Sequence, residues 1–172
     1  METTAFEGAR LLPCEAFADA RGPFITPWTA GGAAPIFRPE SLHFSHNLAA
    51  GTLRGLHYQA EPFAQAKLVH CVRGRVFDVT VDLRPDSPGF KSWSRFELAA
   101  DRPETLWIPA GFAHGFLTLE KETSLAYLIS GVYRPESALG LRWNDPAFGI
   151  EWPDLAEMVI SDKDRNLPDF LS

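Results

Sequence analysis

Between positions 54 and 67 the chain places Arg54, His57, Tyr58, Gln59 and Lys67 within fourteen residues, directly ahead of a strongly patterned segment. Arginine and lysine hold anions or a developing oxyanion, histidine takes up a proton near neutrality, and amide or phenol groups fix polar ligands. At the mouth of a sheet such a set describes a small-molecule site. An ordinary basic loop with one half-buried histidine is the plainer reading of the same residues. Periodicity adds two groups. Within 112–118, His114 shares a face with Phe112 and Phe116, and within 124–129, Tyr127 shares a face with Leu125 and Ile129. Both point where large apolar side chains point, although either alone reads equally as a core residue whose polar tip finds one hydrogen bond. Lys67 alone reads as a solvated lysine at the head of a strand.

Metal chemistry would draw on His57, His70 and His114. His57 is followed by Tyr58 and Gln59, and His70 by Cys71 and Val72, so neither opens a His-x-His pair. His43 and His46, three apart in a strand, fall on opposite faces. The pattern predicts no metal site. There is no Gly-x-Ser-x-Gly elbow, phosphate loop or dinucleotide fingerprint.

The elements that must position these groups are short strands. Phe77, Val79, Val81 and Leu83 alternate with Asp78, Thr80 and Asp82, a period of two. Residues 67–72 are the expected hairpin partner, through a turn at Arg73-Gly74. Further strands are predicted at 9–12, 42–47, 93–98, 105–108, 112–119 and 124–129. Arg21-Gly22-Pro23 reads as a turn into an extended segment, residues 31–35 as a loop and 153–159 as one or two helical turns. Turns every 8–12 residues mark an all-β sandwich or barrel. At 172 residues, with no linker or repeat, one domain over 1–172 is expected.

A net charge of −6 argues against nucleic acid or an anionic membrane as the main partner, while leaving room for an anionic ligand held by a few local cations. Two cysteines without framework spacing, and no apolar run long enough to span a bilayer, predict a reducing, cytoplasmic location.

Five ordered blocks carry a resemblance. They are Gly51-Thr52-Leu53-Arg54-Gly55-Leu56-His57-Tyr58-Gln59; Gln65-x-Lys67-Leu68-Val69; Phe77-Asp78-Val79-x-Val81-Asp82-Leu83-Arg84; Trp107-Ile108-Pro109-x-Gly111-Phe112-Ala113-His114-Gly115-Phe116; and Trp143-Asn144-Asp145-Pro146, with Ser161-Asp162-Lys163-Asp164 near the end of the matched span. Together, over about residues 21–164, they resemble the dTDP-4-dehydrorhamnose 3,5-epimerase family, cupin-like epimerases of nucleotide-linked 4-keto-6-deoxysugars. The resemblance implies a jelly-roll barrel, a homodimer, a reaction needing neither metal nor cofactor, and a place in deoxysugar and polysaccharide biosynthesis. It also implies roles. His57 is the base, Asp164 its orienting carboxylate, Tyr127 the acid on the far face and Lys67 the stabiliser of the enolate oxygen. Arg54 and His114 line the sugar and diphosphate region with Gln59, Tyr133 stacks the base, Lys163 contacts substrate, and Arg21 reaches the diphosphate from the partner subunit.

Hydrogens on C3 and C5 flank the C4 ketone, so either can leave to give an enolate and return on the other face. That requires a base, an acid opposite it and positive charge near the C4 oxygen. Four positions depart from the family pattern: Thr26 replaces an acidic residue, Leu42 and Phe44 a Gln-x-Asn pair, and Ala138 a glutamate. They predict altered recognition of the nucleotide or sugar around an intact catalytic set. A non-catalytic nucleotide-sugar-binding cupin and a metal-dependent cupin oxygenase or isomerase are the alternatives.

Overall fold

The computed structural model describes residues 8–32, 37–155 and 157–170. Thirteen strands follow in chain order: β1 (Arg10–Pro13), β2 (Glu15–Asp19), β3 (Gly22–Thr26), β4 (Pro39–Asn47), β5 (Thr52–Gln59), β6 (Lys67–Arg73), β7 (Arg75–Asp82), β8 (Trp93–Ala99), β9 (Glu104–Ile108), β10 (Phe112–Thr118), β11 (Thr123–Ser130), β12 (Ala138–Gly140) and β13 (Val159–Ile160). One short helix, α1 (Asp162–Arg165), follows them. Strands β1-β9-β6-β11-β4 form one sheet and β12-β5-β10-β7-β8 the other, with β13 parallel to the start of β5. The result is the all-β, cupin-like architecture. Among the described residues no helix is long and apolar enough to cross a membrane.

The two sheets close over one interior. Val69 and Cys71 from β6, Val76 from β7, Leu106 and Ile108 from β9, Phe112 and Phe116 from β10 and Leu125 from β11 fill it, each at most 7% exposed. Burying side chains of this size contributes roughly 1.5–3 kcal/mol apiece. A second cluster (Leu56, Val79, Val81, Ala113, Leu141, Phe148) lies on the outer face of the β5 sheet. Trp152 and Phe170, from the chain's last segment, pack over it.

The alternation in β7 is therefore inverted with respect to the interior. Its branched residues face the outer cluster, while Asp78 and Thr80 share the inner face of Val76 and are fully buried. A strand covered on both sides admits either orientation.

Two expectations are corrected. Residues 67–73 and 75–82 do not form a hairpin, because β6 pairs with β9 and β11 and β7 with β8 and β10. Arg73-Gly74 is instead the corner at which the chain passes between sheets. Gly74 takes φ +76, and a Cβ there would lie 2.3 Å from Thr123 Oγ1. The described residues of 153–159 are not helical. Val159 opens β13, which completes its hydrogen bonding along the free edge of β5. Of the predicted loop at 31–35, residues 33–35 lie outside the described residues, and Gly31 and Gly32 form a turn and a bend.

Candidate active site

Strict alternation would put Arg54 and His57, three residues apart, on opposite faces of β5. They share one face because β5 bulges. His57 sits opposite His114 and Arg54 opposite Phe116, so three steps on β5 match two on β10. Glycine makes this possible. Gly55 adopts φ +121, and a Cβ on it would lie 2.6 Å from Gly115 Cα and 2.8 Å from His114 O. The same bulge frees the Gly55 N–H for a side chain. Asp164 supplies the acceptor, taking it on Oδ2 at 3.0 Å and meeting His57 Nε2 with Oδ1 at 2.9 Å. Asp164 arrives on α1, whose Ser161 N-cap accepts from the Asp164 N–H at 3.1 Å.

The pairing fixes the histidine's roles. With Nε2 aimed at a carboxylate, Nε2 carries the proton and Nδ1 is left as the acceptor. Burial pushes the His57 imidazole below its ordinary value, Asp164 pulls it back up, and Lys67 and His114 add to the lowering. Its side chain is still 44% exposed because one side opens into a cleft.

Across that cleft stand groups from the other sheet. Tyr127 lies on β11, its ring 6.1 Å from the His114 ring in an edge-on contact. Its hydroxyl has no hydrogen-bond partner among the described residues. Burial and the Asp78 carboxylate push the phenol well above its ordinary value, against the pull of Arg54. Lys67 heads β6 with Nζ 3.4 Å from His57 O, and burial pushes its ammonium down to about 8, opposed by Asp78. Asp78, fully buried, accepts from His114 Nε2 at 2.9 and 3.0 Å. Its own carboxyl is raised by burial and pulled down by His114 and Lys67.

The cleft has two chambers. The inner one, about 500 Å³, is lined by Arg54, His114 and Tyr127; the outer, about 350 Å³, by Tyr133, Lys163 and Ala138. His43, His57, Lys67 and Ile129 line both and form the neck between them.

Eight of the ten anticipated site residues thus line one cleft, Asp164 stands buried behind it on His57, and two of the ten, Gln59 and Arg21, are used differently than anticipated. The Gln59 amide lines the outer chamber, yet its Nε2 donates to Phe63 O at 2.6 Å and Val132 O at 3.4 Å, and its Oε1 accepts from Arg134 N at 2.7 Å. It clamps the loop that carries Tyr133. Arg21 lines neither chamber. It caps the β2–β3 hairpin, 90% exposed and paired with Asp19. Thr26 closes the same hairpin. His57, His70 and His114 do not converge: His70 bonds Glu104 O on the outer face of its sheet, and among the described residues no three His, Cys, Asp or Glu side chains are grouped to hold a metal.

The departures separate in space. Ala138 lines the outer chamber. Leu42 and Phe44 project from the outer face of β4, and only Phe44 reaches the rim of the inner chamber. In register with Tyr127 on the inner face is His43, which spacing alone did not single out.

Comparisons with known proteins place the chain in a family. The sequence profile of the dTDP-4-dehydrorhamnose 3,5-epimerase family matches residues 3–172. A dTDP-4-dehydrorhamnose 3,5-epimerase of Sinorhizobium fredii is 42% identical, over 92% of this chain and 83% of its own. The crystal structure of the Bacillus anthracis enzyme with TDP and pyrophosphate bound superposes with a TM-score of 0.88 at 40% identity, covering 94% of each chain. A 3′-monoepimerase of Streptomyces bikiniensis in complex with dTDP-quinovose gives 0.84 at 34% identity, over 98% of this chain and 87% of that one. The chain belongs to the dTDP-4-dehydrorhamnose 3,5-epimerase family, sugar epimerases of the isomerase class.

Proposed function

We propose that the protein inverts C3, C5 or both in a dTDP-linked 4-keto-6-deoxyhexose, with His57 as base and Tyr127 as acid. One observation carries the assignment: the two groups rise from different sheets, β5 and β11, and face a shared cleft. A hexose held between them has one ring face toward each, which is what inversion requires.

His57 Nδ1 takes the proton from the carbon beside the ketone, and the electron pair moves onto the C4 oxygen. Asp164 stabilises the imidazolium, and Lys67 supplies positive charge to the enolate oxygen. Tyr127 returns a proton from the opposite face and is reprotonated from solvent. Its raised pKa keeps the phenol protonated until the enolate calls on it. Electrons balance without an oxidant. Arg54 and His114 border the sugar and phosphate, Tyr133 stacks the base and Lys163 closes the outer chamber. The related 3′-monoepimerase of Streptomyces bikiniensis is consistent with this fold serving inversion at one carbon as well as two.

Homodimerisation belongs to the same reading. A groove on the outer face of the β4 sheet is lined by Ile25, Trp28, Leu42, Phe44, Leu68 and Leu128, with Leu42 54% and Phe44 59% exposed. Phe17 and Phe24 stand 69% and 73% exposed on the Arg21 hairpin. A second copy covering these surfaces removes them from water and carries Arg21 toward a neighbouring cleft. We read residues 1–172 as one such domain, working in the cytoplasm.

The test is proton NMR of the 4-keto substrate in deuterated buffer. The wild type is expected to wash deuterium into C3, C5 or both and to form the epimer. Tyr127→Phe is expected to keep wash-in on the His57 face while epimer formation falls at least about 100-fold. An unchanged epimer yield removes Tyr127 from the mechanism, and a wild type that exchanges nothing removes the reaction.

A further inference from the structure

We propose that His43 is a further substrate-binding residue, donating a hydrogen bond to the β-phosphoryl group where the ligand passes between the two chambers. The inference rests on the epimerase reading. If the sugar reacts between His57 and Tyr127 and the base lies against Tyr133, the phosphate next to the anomeric carbon must lie at the neck. Four side chains form that neck, His43, His57, Lys67 and Ile129. The mechanism engages His57 and Lys67 and leaves Ile129 as an apolar wall. His43 is the remaining polar group, and it enters from β4, the strand that no other assigned catalytic or binding residue occupies.

The backbone aims it inward. His43 is in register with Tyr127 across the β4–β11 ladder, and cross-strand partners share a face. Leu42 and Phe44, its neighbours, project the other way. Ser41, two residues earlier and on the same face, lies 2.9 Å from His43 Nε2 through its Oγ. With the serine hydroxyl donating to Nε2, the ring proton sits on Nδ1, which has no partner among the described residues. Nδ1–H is then an uncommitted donor on a side chain that lines both chambers, held by a serine that takes no other part in the site.

The experiment measures binding of dTDP and of dTMP by calorimetry, beside steady-state kinetics. His43 is exposed on an edge strand, so His43→Ala leaves the fold intact, which circular dichroism checks. A lost donor to a charged phosphate weakens dTDP binding about 10-fold or more. Binding of dTMP, which lacks the β-phosphate, is expected to change less than about threefold. KM for the dTDP-sugar rises in step with the dTDP loss while kcat stays within about twofold. His43→Asn, whose amide nitrogen overlies Nδ1, recovers most of the affinity. Three results overturn the proposal: dTDP affinity unchanged in His43→Ala, equal losses for dTDP and dTMP, or a fall in kcat at constant KM. A wild type that binds dTDP but turns over no dTDP-linked 4-keto sugar refutes the epimerase reading, and this inference falls with it.

Discussion

Replacing Asp164 by Asn changes one oxygen to NH₂, and the geometry predicts which atom changes places. Asp164 uses both oxygens, Oδ2 for the buried Gly55 N–H and Oδ1 for His57 Nε2. Asparagine keeps one acceptor. The Gly55 N–H can only donate, so the amide oxygen must face it and the NH₂ must face His57. Nε2 then becomes the acceptor and the ring proton moves to Nδ1, the nitrogen that has to receive the substrate's proton. The base is blocked by its own tautomer.

Two costs add. A hydrogen bond to a charged partner contributes roughly 1.5–3 kcal/mol, equivalent to about 10- to 150-fold in rate, and it is lost as the imidazolium forms. The tautomer penalty comes on top, for a total of about 10³- to 10⁴-fold, the upper end being the scale seen when another His–Asp pair loses its charge and its tautomer. Direction provides a second readout. Asp164 raises the His57 pKa against burial, so its removal lowers that pKa further. The acid limb of the pH–rate profile therefore moves to lower pH while the plateau falls. The assay is deuterium wash-in by NMR from about pH 4 to 9, with chemical denaturation confirming that the variant is folded. A loss smaller than about tenfold, or an acid limb that stays put or moves up, refutes the assignment of Asp164 as partner of the base.

Lys67→Met is expected to stabilise the protein while slowing catalysis. Lowering the lysine from its ordinary 10.5 to about 8 means the folded state binds its proton less readily than the unfolded chain, a cost of up to about 3 kcal/mol at neutral pH. That cost is fully present below pH 8 and fades as pH rises toward 10.5, so the gain in Tm should shrink over that window; a gain that grows with pH contradicts the burial of this ammonium. Gly55→Ala should lower Tm by more than about 6 °C, as expected for roughly 3 kcal/mol in a chain of this size, because its Cβ would meet Gly115 and His114 backbone. Gly149→Ala is the control, since Gly149 also has a positive φ of +60 but nothing lies within 4 Å; equal losses in the two variants would show that the β5–β10 approach is not tight.

The sequence made some of this visible because periodicity reports faces. His114 and Tyr127 do point with Phe112, Phe116 and Leu125 into the interior, and the strands at 42–47, 67–72, 93–98, 105–108, 112–119 and 124–129 are present within a residue or a few. Pairing was less visible. Alternation describes one strand and says nothing of its neighbour, so the short Arg73-Gly74 connection read as a hairpin when it is a corner between sheets. The resemblance likewise brought Gln59 forward as a ligand contact, yet its amide is consumed by three backbone groups, and only the folded loop reveals that. α1 is four residues long and is held by Ser161 and by Asp164's contacts, too short for any helical period to register.

The β5 bulge bears on the departures in the same way. A period of two on Arg54-Gly55-Leu56-His57 sends arginine and histidine apart, and only the inserted residue brings both to the cleft. Applied to β4, where the ladder to β11 is regular from Asn47 to Ser41, a period of two holds and sends Leu42 and Phe44 out. Their apolar side chains cannot remove hydrogen bonds from the interior of this chain's own cleft. Whatever they change in recognition must act at the rim, through Phe44, or across a subunit boundary formed on the outer face. Ala138 is different, because it lies in the outer chamber itself. Ala138→Glu therefore tests this chain's nucleotide preference directly, whereas Leu42→Gln and Phe44→Asn test it only if the outer face meets a second copy.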